Sequence, residues 1–390
     1  MKNSKVAIYS GTIPSTTFIE RLIEGLSKKD MEIYLFGKSN QKIIYSKNVK
    51  QFTYSNRFSK FCQLLYYTIL LLIKFPKDKR KLDVFITNKG GNIRAMKSKF
   101  YPVLFHRPSI FHLQWAKGVS EWIWVEDFNI RLILSLRGTH VTISPYANDG
   151  LANDYKTFFP KISSFHSVSK TILQSAVNFG LDVTRAKVVY SGLNLNEWPF
   201  QIKEYNKEKK IKILSIGRAH WVKGYDYALD AMSLLKNKEF SFEYKIIGLG
   251  EDESLLFQRY QLDLENEVHF EKNKSFNEIK RLIYEADILL LPSIEEGIAN
   301  VVLEAMALGT LVVTTNCGGM EEVVKSGENG IVVPVRNPEA IANAIIKVSQ
   351  LTNEEYKTMI LNARIIVEKQ HSENKMIDEM QALYNQTVNQ

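Results

Sequence analysis

Two glutamates, Glu296 and Glu304, flank a predicted turn from a strand into a helix, with seven residues between them. The apolar run 286–291 predicts the strand, a polar loop with Gly297 follows, and the helix ends near Gly309. Such a turn points backbone N–H groups and the positive end of the helix dipole at one spot, which favours a phosphate. Carboxylates beside that spot can accept hydrogen bonds from sugar hydroxyls. The pattern therefore predicts a site for a phosphorylated sugar.

Two cations follow another predicted strand, 212–216. Arg218 and Lys223 lie in a turn that Gly224 closes. Arginine offers a planar fork to phosphate oxygens and lysine a compact charge. Taken singly, they would be ordinary surface charges on a loop. Beside the glutamate segment, they are suited to stabilise the charge of a departing diphosphate, as the donors of an oxyanion hole do.

Three segments, in this order along the chain, resemble those of glycosyltransferase family 4, whose members are retaining enzymes that use nucleotide sugars. Residues 217–224 match the family's G-R-x4-K-G segment, 296–304 its E-x7-E pair, and 318–324 its G-G-x-x-E-V-V segment. The resemblance implies the GT-B fold, an α/β architecture of two Rossmann-like doubly wound domains facing across a cleft. It implies an acceptor-binding domain at 1–200, a nucleotide-sugar-binding domain at 201–370, and a helical tail at 371–390 that packs back on the first domain.

The resemblance also assigns roles to residues. Arg218, Lys223 and Glu296 would be catalytic, with Glu296 facing the donor sugar or its phosphate. Glu304 would bind the ribose hydroxyls. The other donor-binding residues would be Gly11, Gly217, Gly297, Ile298, Ala299, Asn300 and Val301. No metal and no cofactor besides the nucleotide sugar are expected, and the sequence has no Asp-x-Asp motif to hold a divalent ion.

The mechanism implied by the resemblance retains the anomeric configuration. A front-face displacement is usual, in which the donor phosphate helps to deprotonate the acceptor hydroxyl. The alternative is a double displacement with a covalent intermediate, for which Glu296 is the candidate nucleophile.

Four residues of the first half are candidates for binding the acceptor: Thr16, His112, Arg137 and His140. Thr16 either contacts substrate or caps the following helix. Arg137 stands where many relatives carry a histidine before glycine, a departure that favours an acidic or phosphate-linked acceptor, with His140 as a displaced polar contact. His112 ends a predicted strand and is either an acceptor contact or structural.

Alternating strands and helices independently indicate two parallel-sheet domains. Apolar runs predict strands in two series. The first series is 6–10, 32–36, 84–87, 110–113, 132–136, 164–167 and 187–190; the second is 212–216, 244–247, 268–270, 288–291, 311–314 and 331–333. The polar, charged segment 194–210 between the two series is typical of a linker.

The net charge of +9 is unevenly distributed along the chain. Residues 1–200 hold 29 Lys and Arg against 13 Asp and Glu, a net +16, and the remainder holds 22 against 29, a net −7. A basic half indicates an anionic partner, and the absence of zinc-finger, RRM or basic-helix signatures disfavours nucleic acid. The apolar run 61–73 precedes five basic residues within 74–81. This run is shorter than the ~20 residues that span a bilayer, so it is either a buried helix or one that lies in an anionic membrane interface.

The distant Cys62 and Cys317 indicate neither a disulfide framework nor a metal site, which favours a reducing cytosol. The run 6–9 is too short for a signal peptide. We therefore expect a cytoplasmic protein, peripheral on the inner face of the cell membrane if the basic half binds lipid. It would move a hexose from a nucleotide sugar to a glycan or lipid-linked acceptor in cell-surface polysaccharide or lipopolysaccharide synthesis.

Two other functions fit the same motifs. One is a nucleotide-sugar epimerase, and the other is a catalytically inactive scaffold that binds a sugar nucleotide. A nicotinamide dehydrogenase is disfavoured, because the first strand leads into 11–14 without a G-x-G-x-x-G turn.

Overall fold

The computed structural model describes residues 5–29, 31–203 and 210–389, which form two compact units. Unit 1 comprises the described residues up to 168, residues 172–189 and those from 374 onward. Unit 2 comprises residues 169–171 and the described residues of 190–373. Both units consist of one parallel sheet with helices, as alternating strands and helices predict.

The sheet of unit 1 has seven parallel strands. They are β1 (Lys5–Ile13), β2 (Glu32–Ser39), β3 (Val49–Tyr54), β4 (Ile110–Leu113), β5 (Arg131–Leu136), β6 (Ser164–Ser167) and β7 (Ala186–Val188). Their order is β3-β2-β1-β4-β5-β6-β7. The chain thus runs outward from β1 to β3 and returns to the other side of β1 with β4, which makes the β1–β4 boundary the topological switch point.

Helices separate these strands along the chain. They are α1 (Thr17–Ser27), α2 (Arg57–Lys74), α3 (Pro76–Lys89), α4 (Ile93–His106), α5 (Val119–Trp122), α6 (Thr139–Thr142), α7 (Asp149–Phe158) and α8 (Lys170–Val177). The beginning of α8, residues 170–171, is grouped with unit 2 and the rest of the helix with unit 1.

The sheet of unit 2 has six parallel strands. They are β8 (Ile211–Ile216), β9 (Phe242–Ile247), β10 (Val268–Glu271), β11 (Ile288–Leu291), β12 (Leu311–Thr315) and β13 (Ile331–Val333), in the order β10-β9-β8-β11-β12-β13. The helices are α9 (Tyr225–Asn237), α10 (Glu253–Gln261), α11 (Phe276–Glu285), α12 (Asn300–Leu308), α13 (Pro338–Gln350) and α14 (Asn353–Gln370). The switch point of this sheet lies between β8 and β11.

The last helix, α15 (Glu373–Asn389), belongs to unit 1 from Asn374 onward. Its apolar side chains, among them Ile377 and Leu383, are buried in one cluster with Ile19 and Leu22 of α1. Tyr384 is also buried there, and its hydroxyl lies 2.7 Å from Nδ1 of His112. Helix α15 therefore completes the core of unit 1.

Two features of unit 1 correct the sequence-based strand series. Residues 84–87 were expected to form a strand, but they lie inside α3. This helix begins with Pro76 at its first position and carries the pair Lys79–Asp83 four residues apart, both of which favour a helix. β3 was not expected, because its mixed polar sequence lies at the edge of the sheet.

The segment 194–210 is not a plain linker where the structure describes it. Residues 204–209 of that segment lie outside the described residues. Trp198 is fully buried among apolar residues of unit 2, and its carbonyl accepts a hydrogen bond from Arg364. The polar composition of segment 194–210 therefore gave no sign that Trp198 packs into the core of unit 2.

Candidate active site

The predicted phosphate site lies at the carboxyl ends of β8 and β11, the two strands that meet at the switch point of unit 2. In doubly wound sheets ligands bind in the crevice outside the strand ends at such a point. Residues 217–224 leave β8 and residues 292–299 leave β11, and the two loops are joined where the Ile294 amide donates to the Val222 carbonyl at 2.8 Å. We call these loops, together with Gly318 and Gly319, the unit 2 edge.

Lys223 and Glu296 form an ion pair at the centre of the unit 2 edge. Lys223 Nζ lies 2.5 Å from Glu296 Oε1, and the two side chains are 19% and 18% exposed. Ser293 Oγ donates to the same carboxylate oxygen at 3.2 Å. The structure thus brings together two of the three residues that were predicted to be catalytic, with charges that are partly shielded from water.

Arg218, the third predicted catalytic residue, follows β8 and Gly217 directly. Its side chain is exposed, whereas the side chain of Lys223 is mostly covered. An exposed guanidinium at a strand end can reach an anion that enters from solvent, and its planar fork suits phosphate oxygens.

Glycines let the loops of this edge approach each other closely. A Cβ at Gly224, whose φ is +63°, would overlap the carbonyl oxygen of Pro292. A Cβ at Gly217 would lie 2.7 Å from Tyr225 Oη and 3.3 Å from Lys223 Cε. Gly217 therefore leaves room for the lysine side chain that reaches Glu296.

Gly318 and Gly319 hold the glutamate loop from the other side. The Gly319 amide donates to the carbonyl of Gly297 at 2.8 Å, and a Cβ at Gly318 would overlap the carbonyl oxygen of Glu296. Gly318 has a φ of +51°. The third motif thus acts through its backbone, which fixes the position of the second.

The N-terminus of α12 points from the same loop. Ala299 is its N-cap residue and provides no side-chain cap, and the Val302 amide donates to the Ala299 carbonyl at 3.0 Å. The amides that precede Val302 at the start of the helix are the ones suited to an anion. Gly297 and Ala299 are buried, and Ile298, Asn300 and Val301 are partly buried. Glu304 lies one turn into the helix and is also partly buried.

Glu322 is a functional candidate that sequence analysis did not single out, although it belongs to the third motif. Its carboxylate accepts hydrogen bonds from the amides of Lys170 and Thr171 at 3.0 and 2.9 Å, and from Tyr190 Oη at 2.8 Å. It thereby caps the start of α8. Its place in the motif was the available signal, but the role required knowledge of residues more than 130 positions away.

Polar and aromatic side chains gather at the carboxyl ends of β4 and β5 in unit 1, beside its own switch point. Arg137 Nη2 donates to Gln114 Oε1 at 3.0 Å, and the guanidinium lies 4.4 Å from the ring centroid of Phe18. The ring of Trp115 lies 5.6 Å from that of His140. We call Gln114, Trp115, Arg137 and His140 the unit 1 edge.

Several buried polar atoms of the unit 1 edge have no hydrogen-bond partner within the described part of the chain. They are Arg137 Nε, Gln114 Nε2 and His140 Nδ1. Burial lowers the pKa of Arg137 to about 9, and burial together with Lys117 and Arg137 lowers the pKa of His140 to about 4. Buried polar atoms are usually satisfied, so this set, which includes the acceptor candidates Arg137 and His140, is suited to an oxygen-rich ligand.

The other first-half candidates are placed differently. His112 is fully buried, with Nδ1 on Tyr384 Oη at 2.7 Å and Nε2 on Ser135 Oγ at 2.8 Å. Because no part of its ring is accessible, the expected acceptor contact from His112 is corrected to a structural role. Thr16 is exposed at the N-cap position of α1, but its side chain makes no cap hydrogen bond. The structure therefore does not support the alternative that Thr16 caps the helix.

Gly11 also departs from expectation. It was expected in a loop after the first strand, but β1 continues through it to Ile13 with an irregular register, and Gly11 pairs with Gly37 of β2. Gly11 belongs to unit 1, whereas the other predicted donor-binding residues all belong to unit 2. Within the described ranges, no group of three or more His, Cys, Asp or Glu side chains is arranged to hold a metal ion.

Comparison with known proteins supports the two-domain, Rossmann-like fold that is expected of GT-B glycosyltransferases. The structure of Anabaena Alr3699/HepE in complex with UDP aligns with a TM-score of 0.69 at 16% identity, covering 99% of this chain and 100% of that one. At this identity the likeness shows the fold alone, which confirms the expected pair of Rossmann-like sheets.

Sequence relatives point to the same class. Residues 197–365 match the family described as "Glycosyl transferases group 1". The putative colanic acid biosynthesis glycosyltransferase WcaL of Escherichia coli (strain K12) is 32% identical over 182 residues, 44% of each chain, so the match spans less than half the length of that relative. The N,N'-diacetylbacillosaminyl-diphospho-undecaprenol alpha-1,3-N-acetylgalactosaminyltransferase of Campylobacter jejuni is 27% identical over 339 residues, 82% of this chain and 86% of that one.

Proposed function

We propose that this protein is a retaining, metal-independent glycosyltransferase of family 4 that moves a hexose from a nucleoside-diphosphate sugar to a glycan or lipid-linked acceptor in cell-surface polysaccharide synthesis. The observation that carries the proposal is the Lys223–Glu296 pair, 2.5 Å apart at the switch point of unit 2 and beside the start of α12. The relatives named for colanic acid and undecaprenol-linked glycans support the class of acceptor.

In the proposed reaction the bond between the anomeric carbon and the β-phosphate oxygen breaks, and the electron pair leaves with the nucleoside diphosphate. A new bond forms between the acceptor oxygen and the same carbon, on the same face of the sugar. The acceptor proton passes to the departing phosphate oxygen. Lys223, Arg218 and the first amides of α12 stabilise the charge on that phosphate, which replaces the work of a divalent ion.

Glu296 has a second part in this scheme. Without substrate it neutralises Lys223, and a bound diphosphate would compete for the same ammonium group. The Glu296 carboxylate is then free to accept hydrogen bonds from the hydroxyls of the donor sugar. Glu304, one turn into α12, binds the ribose.

The unit 1 edge is the proposed acceptor site. Arg137 and Gln114 present buried donors that have no hydrogen-bond partner among the described residues, and His140 remains neutral at physiological pH because burial keeps its pKa low. A neutral imidazole and a charged guanidinium together suit a phosphate-linked glycan, with Trp115 as a face for a sugar ring to stack on.

Diphosphate binding without metal tests the proposal directly. UDP, GDP, ADP and TDP are added separately to the protein in excess EDTA, and the melting temperature is followed. The cognate nucleotide should raise it by mass action. Lys223→Ala and Arg218→Ala should remove the shift, while Lys238→Ala, an exposed lysine of unit 2, should keep it. Binding that needs magnesium, or that survives both changes at the edge, contradicts the proposal.

Product analysis tests the reaction class. The cognate nucleotide sugars are incubated with the protein and with lipid-linked acceptors, and the new glycosidic bond is examined by NMR. Retention of the donor's anomeric configuration is expected. Conversion of the donor alone would show an epimerase instead, binding without turnover an inactive scaffold, and a trapped adduct on Glu296 a double displacement.

A further inference from the structure

The outward face of α2 is an apolar surface. Phe58, Phe61, Leu65, Ile69 and Ile73 recur at spacings of three and four residues and so lie on one side of the helix. They are 76%, 40%, 47%, 57% and 72% exposed, respectively. We call these five residues the α2 stripe. Exposed apolar side chains are ordinary when they are scattered, but a continuous row of them marks an interaction site.

The opposite face of α2 already has its partners. Tyr67 and Leu71 are buried in the core of unit 1, and the helix packs against α3 and α4. The α2 stripe is therefore not a core face that happens to be thinly covered. It is a second apolar face on a helix whose first face is satisfied within the described fold.

A basic pocket adjoins the α2 stripe at its N-terminal end. Arg57, Lys60, Asn92 and Arg94 line a cavity of about 350 Å³, and Phe61 of the stripe forms part of its wall. The Arg94 guanidinium lies 4.9 Å from the Phe61 ring centroid, so charge and apolar surface are in direct contact. Arg57 and Arg94 lie in the first turns of α2 and α4, where the helix dipoles also favour an anion.

The surrounding helices share this sign of charge. Residues 57–107, which contain α2, α3 and α4, hold twelve Lys and Arg against two Asp, a net +10. A second copy of the chain that docked through its own α2 stripe would bring +10 against +10, which is unfavourable. A surface that offers negative charge above an apolar layer complements both properties at once.

We propose that the α2 stripe docks on an anionic lipid bilayer. The helix lies in the plane of the interface, with the stripe in the boundary between headgroups and acyl chains and the phosphates of anionic lipids held by Arg57, Lys60 and Arg94. None of the helices in the described part of the chain could span a bilayer. The in-plane arrangement follows from the exposed apolar face of α2 and the basic residues at its end, which is the pattern of helices that lie in a membrane interface. This inference does not depend on the proposed transfer reaction.

Vesicle binding tests the apolar half of the proposal. Full-length protein is sedimented with vesicles of phosphatidylcholine alone and of phosphatidylcholine with phosphatidylglycerol, without any nucleotide sugar. Binding is expected with the anionic vesicles. L65Q/I69Q should lower the partition coefficient by about tenfold or more, because both side chains lose their transfer from water into the interface. The matched control is L361Q/I365Q, a pair with the same spacing on α14 that is 40% and 42% exposed.

Substitutions in the pocket test the ionic half. R57Q/R94Q should weaken binding to anionic vesicles by about tenfold or more at low salt, since each basic residue near the surface adds attraction that salt screens. K238Q/K347Q, two exposed lysines of unit 2, should bind like the unchanged protein. Equal binding to neutral vesicles, or equal loss in the control, would overturn the assignment of a headgroup site.

Cys62 supplies a direct probe of depth. It is exposed on α2 beside the stripe, whereas Cys317 is buried. An environment-sensitive fluorophore on Cys62 should shift to the blue with anionic vesicles and be quenched by nitroxide-labelled lipid. The same label on a C62S/L361C variant should not respond. A blue shift that rises with protein concentration in the absence of lipid would show a contact between copies and would overturn the proposal.

The vesicle assays and the function can fail separately. If the nucleotide shift in EDTA persists but vesicles do not bind, the membrane inference is wrong and the transferase proposal stands. If the protein binds vesicles through the α2 stripe but binds no nucleotide, the transferase proposal is wrong and the membrane inference stands.

Discussion

The unit 1 edge and the unit 2 edge differ in whether side chains or close backbone contacts determine their shape. At the unit 2 edge a Cβ on Gly217, Gly224, Gly318 or Gly319 would meet a neighbouring backbone or side-chain atom closer than 3.0 Å. At the unit 1 edge, Gly138, which follows Arg137 directly, has a positive φ of +42° but nothing within 4 Å of such a Cβ. The unit 2 edge is therefore shaped by interlocking backbone, and the unit 1 edge by side chains.

This difference explains why the unit 2 edge is easier to predict from sequence than the unit 1 edge. An interlocked backbone demands glycine at fixed positions, so it leaves a motif. A side-chain site can satisfy one ligand in many ways, and Arg137, at a position where the family resemblance led us to expect a histidine, is consistent with such a change. The unit 2 edge would then serve a substrate part that many enzymes share, and the unit 1 edge the part that is particular to this one.

Gly318→Ala should have the largest effect on the unit 2 edge. The new Cβ overlaps the Glu296 carbonyl and the residue must keep a φ of +51°, so we expect a loss of about 3 kcal/mol of stability or more. Denaturant melts and the nucleotide shift measure it. Gly327→Ala is the matched control, because Gly327 has a φ of +84° but open space around it. Equal losses in both variants would show that backbone interlocking is unimportant here.

A double-mutant cycle should show that the Lys223–Glu296 pair is coupled. We expect about 2 kcal/mol of coupling between Lys223→Met and Glu296→Gln in denaturant melts without ligand, because both side chains are over four-fifths covered. The exposed pair Arg281–Glu285, at 64% and 45% exposure, should couple by less than about 0.5 kcal/mol. Comparable coupling energies for the two pairs would show that the covered position of the Lys223–Glu296 pair does not strengthen its interaction.

Acid should destabilise unit 1 through its buried histidines. Burial, with smaller contributions from Lys5 and Lys50, lowers the pKa of His106 to about 4. Unfolding therefore takes up a proton below the unfolded pKa of about 6.5, and stability falls as the pH drops from there toward 4, with no effect above. In melts between pH 7 and 4.5, His106→Phe should reduce the slope by about 1.4 kcal/mol per pH unit. An unchanged slope would mean that His106 is protonated in the folded state.

Arg137→Lys should have the smallest effect on stability. It keeps a positive charge but loses the hydrogen bond from Nη2 to Gln114, worth about 1 kcal/mol. The nucleotide shift should not change, while transfer to a phosphate-linked acceptor should weaken. If the variant lost the nucleotide-induced shift in melting temperature, Arg137 would contribute to donor binding, and the two edges would not bind separate substrates.

The sequence predicted most of unit 2 because its strands are short apolar runs between polar or glycine-bearing turns. All six lie within one or two residues of expectation, and the ion pair joins two motifs that were singled out separately. In unit 1 the prediction failed where local preference and tertiary context disagree. Residues 84–87 have β-branched and aromatic side chains typical of a strand, yet lie in α3, which packs on α2 and α4.

Long-range partners account for the remaining errors. The choice between the acceptor and structural alternatives for His112 could not be settled from its neighbours, since Tyr384, whose hydroxyl contacts its Nδ1, lies 272 positions away. The two alternatives for residues 61–73 were likewise undecidable from spacing, because α2 is apolar on both faces. The structure shows that one face is buried and the other exposed, so the buried-helix alternative holds for one face only, and the membrane alternative stays a proposal for the other.

The return of α15 to unit 1 has a consequence for how the molecule is made. On the ribosome, the body of unit 2 is complete before the last residues of the chain emerge, but Ile19 and Leu22 still lack the side chains of α15 that cover them. The first unit to be synthesised is thus the last to be finished. Expression of the N-terminal half by itself should leave this patch open to aggregation, and supplying residues 374–390 as a separate peptide should restore solubility.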